Sequence, residues 1–460
     1  MTTNAATVRK TRTKRKKAKK TTTTAKKNKA VKPLVEQTAV VGLVVEEPTN
    51  DLAVICNQQA LCNGIDFVAT AISRYSIHPI LDYILLEAKG NQLTLTTFNL
   101  KHGIQISLEA EVKSEGRATL PSSALQKVVQ KLPQTEVILT CQTITQEDGN
   151  EQKQLKATLS SQDDPTKTNF ELRGCIADEF PQLPEAKIKI ATLPSELLAT
   201  LFKASSFSIS NDETKQVLNG AYLCLEPNLK KKLTTIKVIA TNGHTLALAT
   251  GTSQNNRTKL TKPMSLTIPI KVVQELKRSN YSGDEQVDIY VDIADENDKV
   301  VSFVWENRHI ITRTIAGEFP DCETIIKSVG EAACKSFQVE RFTLIQVLER
   351  FAVLSRKEAQ LVLLALEEDS IKLSFEREDI GKGSSKLPGK LEGEPTEIAF
   401  NIKYLLSITR AISTKEILLR FSSATEPALI QPYGIAEKET IPIETEYVIA
   451  PAIIPCQYHG

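Results

Sequence analysis

Histidine, paired cysteines and long apolar runs are what this 460-residue chain has little of. The five histidines stand alone at 78, 102, 244, 309 and 459, and neither an H-E-x-x-H nor a glycine-rich phosphate loop is present. The eight cysteines, at 56, 62, 141, 175, 224, 322, 334 and 456, form no C-x-x-C pair and have no histidine at ligand spacing. That pattern excludes structural zinc and points to a reducing compartment. Apolar clusters such as VVGLVV at 40–45 fall far short of the roughly 20 residues a membrane helix needs. No charged start leads into an apolar segment, so neither secretion nor membrane spanning is expected. Acid is missing from residues 1–35, which hold 13 Lys and Arg, while the remainder carries 44 basic against 55 acidic side chains. An acidic body thus follows a strongly basic tail.

What is present is a core-forming apolar share of 41% and a length that suits about three domains. The tail, RKTRTKRKKAKKTTTTAKKNKA, repels itself and has no apolar surface to bury, so it reads as disordered. Three roles stay open for it: an arm binding nucleic acid through phosphates, an organelle-targeting leader, or a solubilising segment. Beyond it the chain repeats. VICNQQALCNGIDFVATAIS from 54, IATLPSELLATLFKASSFSIS from 190 and FQVERFTLIQVLERFAVLS from 337 each pair a short strand with an amphipathic helix. Their leucines at 61, 198 and 344 lie 137 and 146 residues apart, a domain-sized period. A second helix follows in each unit, at 119–139, 267–279 and 399–421, with Pro121 and Pro269 at helix starts, where a missing N–H costs little. Alternating runs between them, QLTLTTF (92–98), IKVIA (236–240), LALAT (246–250) and SIKLSF (370–375), predict half-buried antiparallel strands. The expected class is α+β, two helices backed by antiparallel sheets in each unit, with a tail and linker over 1–50 and domains over 51–186, 187–330 and 331–460.

Three such units, together with IATNGHTLALAT at 239–250, DEFPQLP at 178–184, GEFPDCE at 317–323 and HPILDYILL at 78–86, resemble the bacterial DNA polymerase III beta subunit, the sliding-clamp family. The resemblance covers roughly 51–454. It implies a closed ring of two subunits whose helices surround duplex DNA, without cofactor, metal or catalytic site. Contacts would go to phosphates and water rather than base edges, leaving binding independent of sequence. It also implies binding of the replicative polymerase, the clamp loader and repair proteins through short linear peptides, in the cytoplasm at the nucleoid.

Residues carry over from the resemblance in three groups. The peptide cleft maps to Leu218, Thr241, Gly243, His244, Thr245, Leu246, Pro269 and Val273 of the second unit with Ala428, Val448 and Ala450 of the third. DNA-facing positions are Arg74, Lys127, Lys131, Lys215, Lys271, Lys277, Arg278, Lys403 and Arg410, which would put positive charge inside an acidic ring. The joint between subunits maps to Phe170 and Leu172 on one side and Val353 and Leu354 on the other. The chain departs from the family where Thr245 replaces a common arginine, in its ending YVIAPAIIPCQYHG, and in RYSIHP, where Tyr75 stands at a usual arginine. A catalytic reading of His244 would need an orienting carboxylate and a nucleophile nearby, and Asn242 stands where the acid is often found. The remaining alternative is a divergent clamp acting as a nucleoid-type DNA-binding protein through its tail.

Overall fold

The computed structural model describes residues 51–452 apart from segments 74–77, 146–152, 255–259, 279–284, 293–298, 355–360, 378–380 and 437–440. Three units of one order follow each other: a leading strand, a helix, a run of strands, a second helix and three closing strands. In the first these are β1 (Leu52–Asn57), α1 (Gln58–Ala69), β2 (Tyr83–Lys89), β3 (Gln92–Phe98), β4 (His102–Glu109), β5 (Glu111–Ser114), β6 (Gly116–Pro121), α2 (Ser122–Val129), β7 (Glu136–Thr145), β8 (Lys153–Ser161) and β9 (Asn169–Gly174). The second has β10 (Ile188–Pro194), α3 (Ser195–Ser205), β11 (Gly220–Asn228), β12 (Leu233–Thr241), β13 (Thr245–Gln254), β14 (Met264–Pro269), α4 (Ile270–Arg278), β15 (Gln286–Asp292), β16 (Val300–Val304) and β17 (Arg308–Arg313). A linker helix, α5 (Cys322–Ala332), leads to the third: β18 (Lys335–Glu340), α6 (Arg341–Leu354), β19 (Leu361–Glu367), β20 (Ser370–Arg377), β21 (Gly381–Glu392), β22 (Thr396–Asn401), α7 (Ile402–Ala411), β23 (Thr414–Phe421), β24 (Ala428–Ala436) and β25 (Glu444–Ile449). The expected pair of helices per unit is present. α5 is additional, and the limit drawn at 330 falls inside it.

The helices start where local chemistry caps them. Asn57 accepts the N–H of Ala60 at 3.1 Å ahead of α1, and Asn401 accepts that of Lys403 at 2.9 Å ahead of α7. Asp321 does the same for α5 through Thr324 N–H at 3.1 Å. Each cap satisfies a donor that the first helical turn leaves without a partner. Pro121 and Pro194 end their strands and cap α2 and α3 without a side-chain bond. Leu61, Ile65 and Val68 of α1, and Val272, Val273 and Leu276 of α4, then turn one apolar stripe onto the sheets.

The sheets run across the unit boundaries. Closing strand β17 pairs antiparallel with β4 of the first unit, Ile310 opposite Ile104, and β25 pairs with β13 of the second, Tyr447 opposite Ala247. An eight-stranded and a twelve-stranded sheet result, beside a five-stranded sheet of the first unit. Closing strand β9, the counterpart of β17 and β25, has β8 alone as its ladder partner among the described strands. β21, the counterpart of β4 and β13, pairs along residues 381–388 with β20 alone among the described strands.

Both seams are built alike. Asn99 accepts the N–H groups of Lys101 and His102 at 3.0 and 2.9 Å, and Asn242 accepts those of His244 and Thr245 at 2.9 and 2.8 Å. Between them Leu100 has φ 69° and Gly243 φ 89°, a left-handed turn that asparagine side chains stabilise and that glycine adopts freely. The next unit then docks its closing strand: Arg313 N–H donates to Lys101 C=O at 3.0 Å, and Ala450 N–H to His244 C=O at 2.9 Å. On the outer face Leu246 of the second seam has Gly103 as its counterpart. Leu183 of FPQL fills that space, since a Cβ on Gly103 would stand 2.3 Å from its Cδ2. Cys322 of FPDC takes the place of Leu183 at the second seam.

Candidate functional site

The turn Asn242–His244 and strand β25 bring the second-unit and third-unit cleft residues together. Leu246 and Val448 stand opposite each other in the ladder, and with Ile239, Leu248, Leu429, Phe319, Cys322 and Ile326 they form a separate apolar cluster on the outer face. Leu218 and Val217, in the turn before β11, are half-buried against it. Tyr222 stacks on Phe319 beside them, with centroids 5.1 Å apart at 21°. Gly243 and His244 are exposed on the rim, and Ala450 and Pro269 are half-buried. Thr241 is held beneath, its hydroxyl donating to Thr245 C=O at 2.8 Å and accepting Gly243 N–H at 3.2 Å. Val273 and Ala428 are fully buried, so they back the cleft rather than face it.

The fit of His244 to its surroundings is that of a wall, not of a base. Its ring stacks on Tyr404 of α7, 5.6 Å between centroids at 17°. Its N–H and C=O are engaged by Asn242 and Ala450. Among the described residues no group of three His, Cys, Asp or Glu side chains converges to hold a metal ion. Sequence reasoning missed Tyr404, 160 residues further on, because only the docking of the third unit brings it near. Thr245, 2% exposed in the second seam, has a hydroxyl without a hydrogen-bond partner among the described residues. The same holds for the Asn219 side-chain oxygen next to Leu218.

Lys215 is regrouped by the structure. It precedes the 3-10 turn Gln216–Leu218, and its Nζ lies 3.6 Å from where a Cβ on Gly243 would stand. The short turn carries it to the cleft rim and not onto one of the six unit helices. On those helices Lys127, Lys271, Arg278, Lys403 and Arg410 are exposed, as is Lys131 just beyond α2. Lys203 of α3 and Arg350 of α6 are exposed as well and were not singled out from sequence. The acids on these helices are fewer, Asp66, Glu196, Glu275 and Glu349, so the helical face is basic although the body is acidic. Two of the basic groups are already engaged by them: Arg410 with Glu349 at 2.6 Å and Arg278 with Glu275 at 3.3 Å. Lys277 is half-buried, donates to Ser206 Oγ at 3.1 Å, and has its pKa lowered by burial and by Arg278. Arg74 lies outside the described residues.

At the free edges, Phe170 and Leu172 of β9 are half-buried against the first core, and Val353 at the end of α6 is 82% exposed. The side chain of Leu354 lies outside the described ones.

Three family models match in succession: the DNA polymerase III beta subunit N-terminal domain over 52–184, its central domain over 192–321 and its C-terminal domain over 331–443. The chain belongs to the DNA polymerase III beta-subunit family. The beta sliding clamp of Synechococcus elongatus is 30% identical over 407 residues, 87% of this chain and 99% of that protein. The beta sliding clamp of Synechocystis is likewise 30% identical, over 83% of this chain and 96% of its own. Among solved structures, the Bacillus subtilis DNA polymerase sliding clamp superposes with TM-score 0.72 at 23% identity, over 88% of this chain and all of that one. A Bartonella birtlesii clamp bound to griselimycin gives TM-score 0.73 at 23% identity and the same coverage. Beta-subunit clamps have no catalytic activity of their own and act in replication in the cytoplasm. No helix among the described residues is long and apolar enough to cross a membrane.

Proposed function

We propose that two copies of this clamp close a ring around duplex DNA, with β9 of one protomer pairing against β21 of its partner. The observation that carries this is the repeated joint. Each internal seam is a closing strand laid antiparallel on the strand after an Asn-led turn, and the chain ends that pattern with one donor edge and one acceptor edge left over. A sheet edge without a partner is a template for pairing, and two complementary edges on one chain let two copies, six units in all with a sixth of a turn for each, close on themselves. Phe170, Leu172, Val353 and Leu354 form the apolar part of that joint in this reading. The six helices per ring half then face DNA through Lys127, Lys131, Lys203, Lys271, Arg278, Lys403 and Arg410, which bind phosphates and leave base edges unread. Sedimentation of the purified protein tests closure: a species of twice the chain mass supports it, and a monomer at micromolar concentration refutes it.

The cleft at the second seam takes short linear peptides of the polymerase, the clamp loader and repair proteins. Its apolar floor of Leu218, Leu246 and Val448, with His244, Tyr404 and Lys215 on the rim, suits one buried apolar anchor flanked by polar fixers. Griselimycin is the ready probe, and Leu246→Lys should abolish its binding. The basic tail precedes the family-matched region, which starts at 52, and we read it as an arm on flanking DNA. Sequencing the mature N-terminus separates that role from a cleaved import leader.

A further inference from the structure

The hairpin of β11 and β12 outgrows its counterpart in the first unit. β3 and β12 both end directly before a seam asparagine, Asn99 and Asn242, yet β3 has seven residues and β12 nine. β13 keeps pace, with Gln254 opposite Leu233. The second hairpin therefore runs about 7 Å further along the strands. It closes through a four-residue turn, 229–232, where the first has only Gly90 and Asn91. Its tip lies eight strand steps from Thr241, about 27 Å, so a peptide seated in the cleft leaves it free. Leu197 of α3 packs under Gly251, three residues before the end of β13, since a Cβ there would stand 2.8 Å from its Cδ1. The hairpin thus leaves the sheet beside the start of α3, which carries Lys203.

Charge separates the three equivalent turns. In the first, Gly90 N–H donates to Glu115 at 2.7 Å. The third is acidic, with Glu368 and Asp369 following Glu367, which holds Lys386 at 2.7 Å. The second carries Lys230, Lys231 and Lys232, all exposed and without an acidic partner among the described residues. Glu226 of β11 is already held by Lys237 at 2.9 Å. Lys262, also exposed, precedes β14 at the same end of the sheet. The turn itself is built: Asn228 accepts Lys231 N–H at 3.1 Å, and Lys232 takes φ 52°, a left-handed conformation better suited to glycine or asparagine.

We propose that this hairpin binds the phosphate backbone of duplex DNA at the rim away from the cleft, outside the helical face. This rests on the clamp reading above and adds a second DNA contact to it. Lysine is a flexible point charge suited to phosphate. Three in succession around a turn fan outward instead of converging on one anion, so the ligand carries charge at repeated intervals. Residues 226–234 include no aromatic side chain on which unpaired bases could stack, so the fit is to duplex and not to single-stranded DNA. Contact through phosphates leaves base edges unread, as sliding requires. Partners then hold one face of the clamp while the hairpin holds DNA at the other.

The test titrates the full chain by anisotropy against a fluorescein-labelled duplex of roughly 30 base pairs, between about 50 and 200 mM KCl. Lys230→Gln, Lys231→Gln and Lys232→Asn together should flatten the slope of log K against log salt by up to about 2.7, three contacts at roughly 0.9 each. Arginine at all three positions should keep the parent slope. Lys187→Gln, Lys327→Gln and Lys390→Gln remove the same charge from exposed positions elsewhere and should leave the slope as it is. Flattening by that control equal to flattening by the hairpin variant would reduce the effect to net charge and overturn the proposal. A slope unaltered in the hairpin variant, but flattened when Lys127, Lys131 and Lys403 are replaced, overturns the hairpin contact and leaves the clamp. A slope unaltered in both removes the DNA face, and the hairpin contact with it. Parent binding to phosphatidylglycerol vesicles that Leu229→Ser abolishes, with the DNA slope unaltered in the hairpin variant, would assign the hairpin to a membrane surface instead.

Discussion

His102 sits in the first seam where Thr245 sits in the second, and it makes that seam sensitive to acid. It is 6% exposed, its Nδ1 lies 3.1 Å from the Asn99 amide, and burial, reinforced by the Lys271 ammonium, lowers its pKa to about 4. The unfolded chain holds this imidazole near 6.5, so between these values the unfolded state binds the extra proton. Stability is therefore full above pH 6.5 and is lost as pH falls toward 4. At about 1.4 kcal/mol per unit the limit is about 3.4 kcal/mol, and about 2 kcal/mol is gone by pH 5. His102→Thr copies the second seam and removes the titration. Urea unfolding of both proteins at pH 8, 6 and 5 should show the variant gaining about 2 kcal/mol relative to the parent between pH 8 and 5. Parallel pH profiles would refute the buried, neutral histidine and its cost.

Three further outcomes follow from the same geometry. Gly243→Ala must keep φ near 89° with a Cβ, which costs about 1–2 kcal/mol and lowers the melting temperature by about 2–4 °C; an unchanged transition would show that the turn relaxes. Val353→Lys places a charge in the proposed apolar joint between protomers and should shift sedimentation from dimer to monomer, whereas a persisting dimer would place the joint elsewhere. Replacing Lys127, Lys131 and Lys403 together by Ala should flatten the salt dependence of DNA binding by roughly 0.9 per lost phosphate contact, and an unaltered slope would remove these residues from the DNA face.

The repeat, the strands around 236–250 and the turn at Asn242–Gly243 could be read from sequence because each has a local signature: a period, an alternation, an asparagine before a residue of positive φ. The equivalent turn at Asn99 was concealed by Leu100, which adopts φ 69° where glycine would have announced it. α5 was concealed by its position: Asp321 caps it directly after Pro320, and the segment reads as the close of a unit until the sheet beneath it supplies the apolar floor. Tyr404 and Lys215 depend on docking between distant segments, which spacing does not encode. The engagement of Arg410 by Glu349 and of Arg278 by Glu275 is likewise a matter of which helices lie side by side. Thr245 is the residue where departure from the family and structure meet, a buried hydroxyl without a partner among the described residues at the seam that docks the third unit.

A clamp holds DNA by topology, so the decisive measurement is retention after loader-dependent assembly on nicked circular DNA, with residues 1–50 removed. The account predicts that the loaded protein stays with the circle through high salt and is released when one cut makes the circle linear. Equal retention on circular and linear DNA, or none on either, would contradict it.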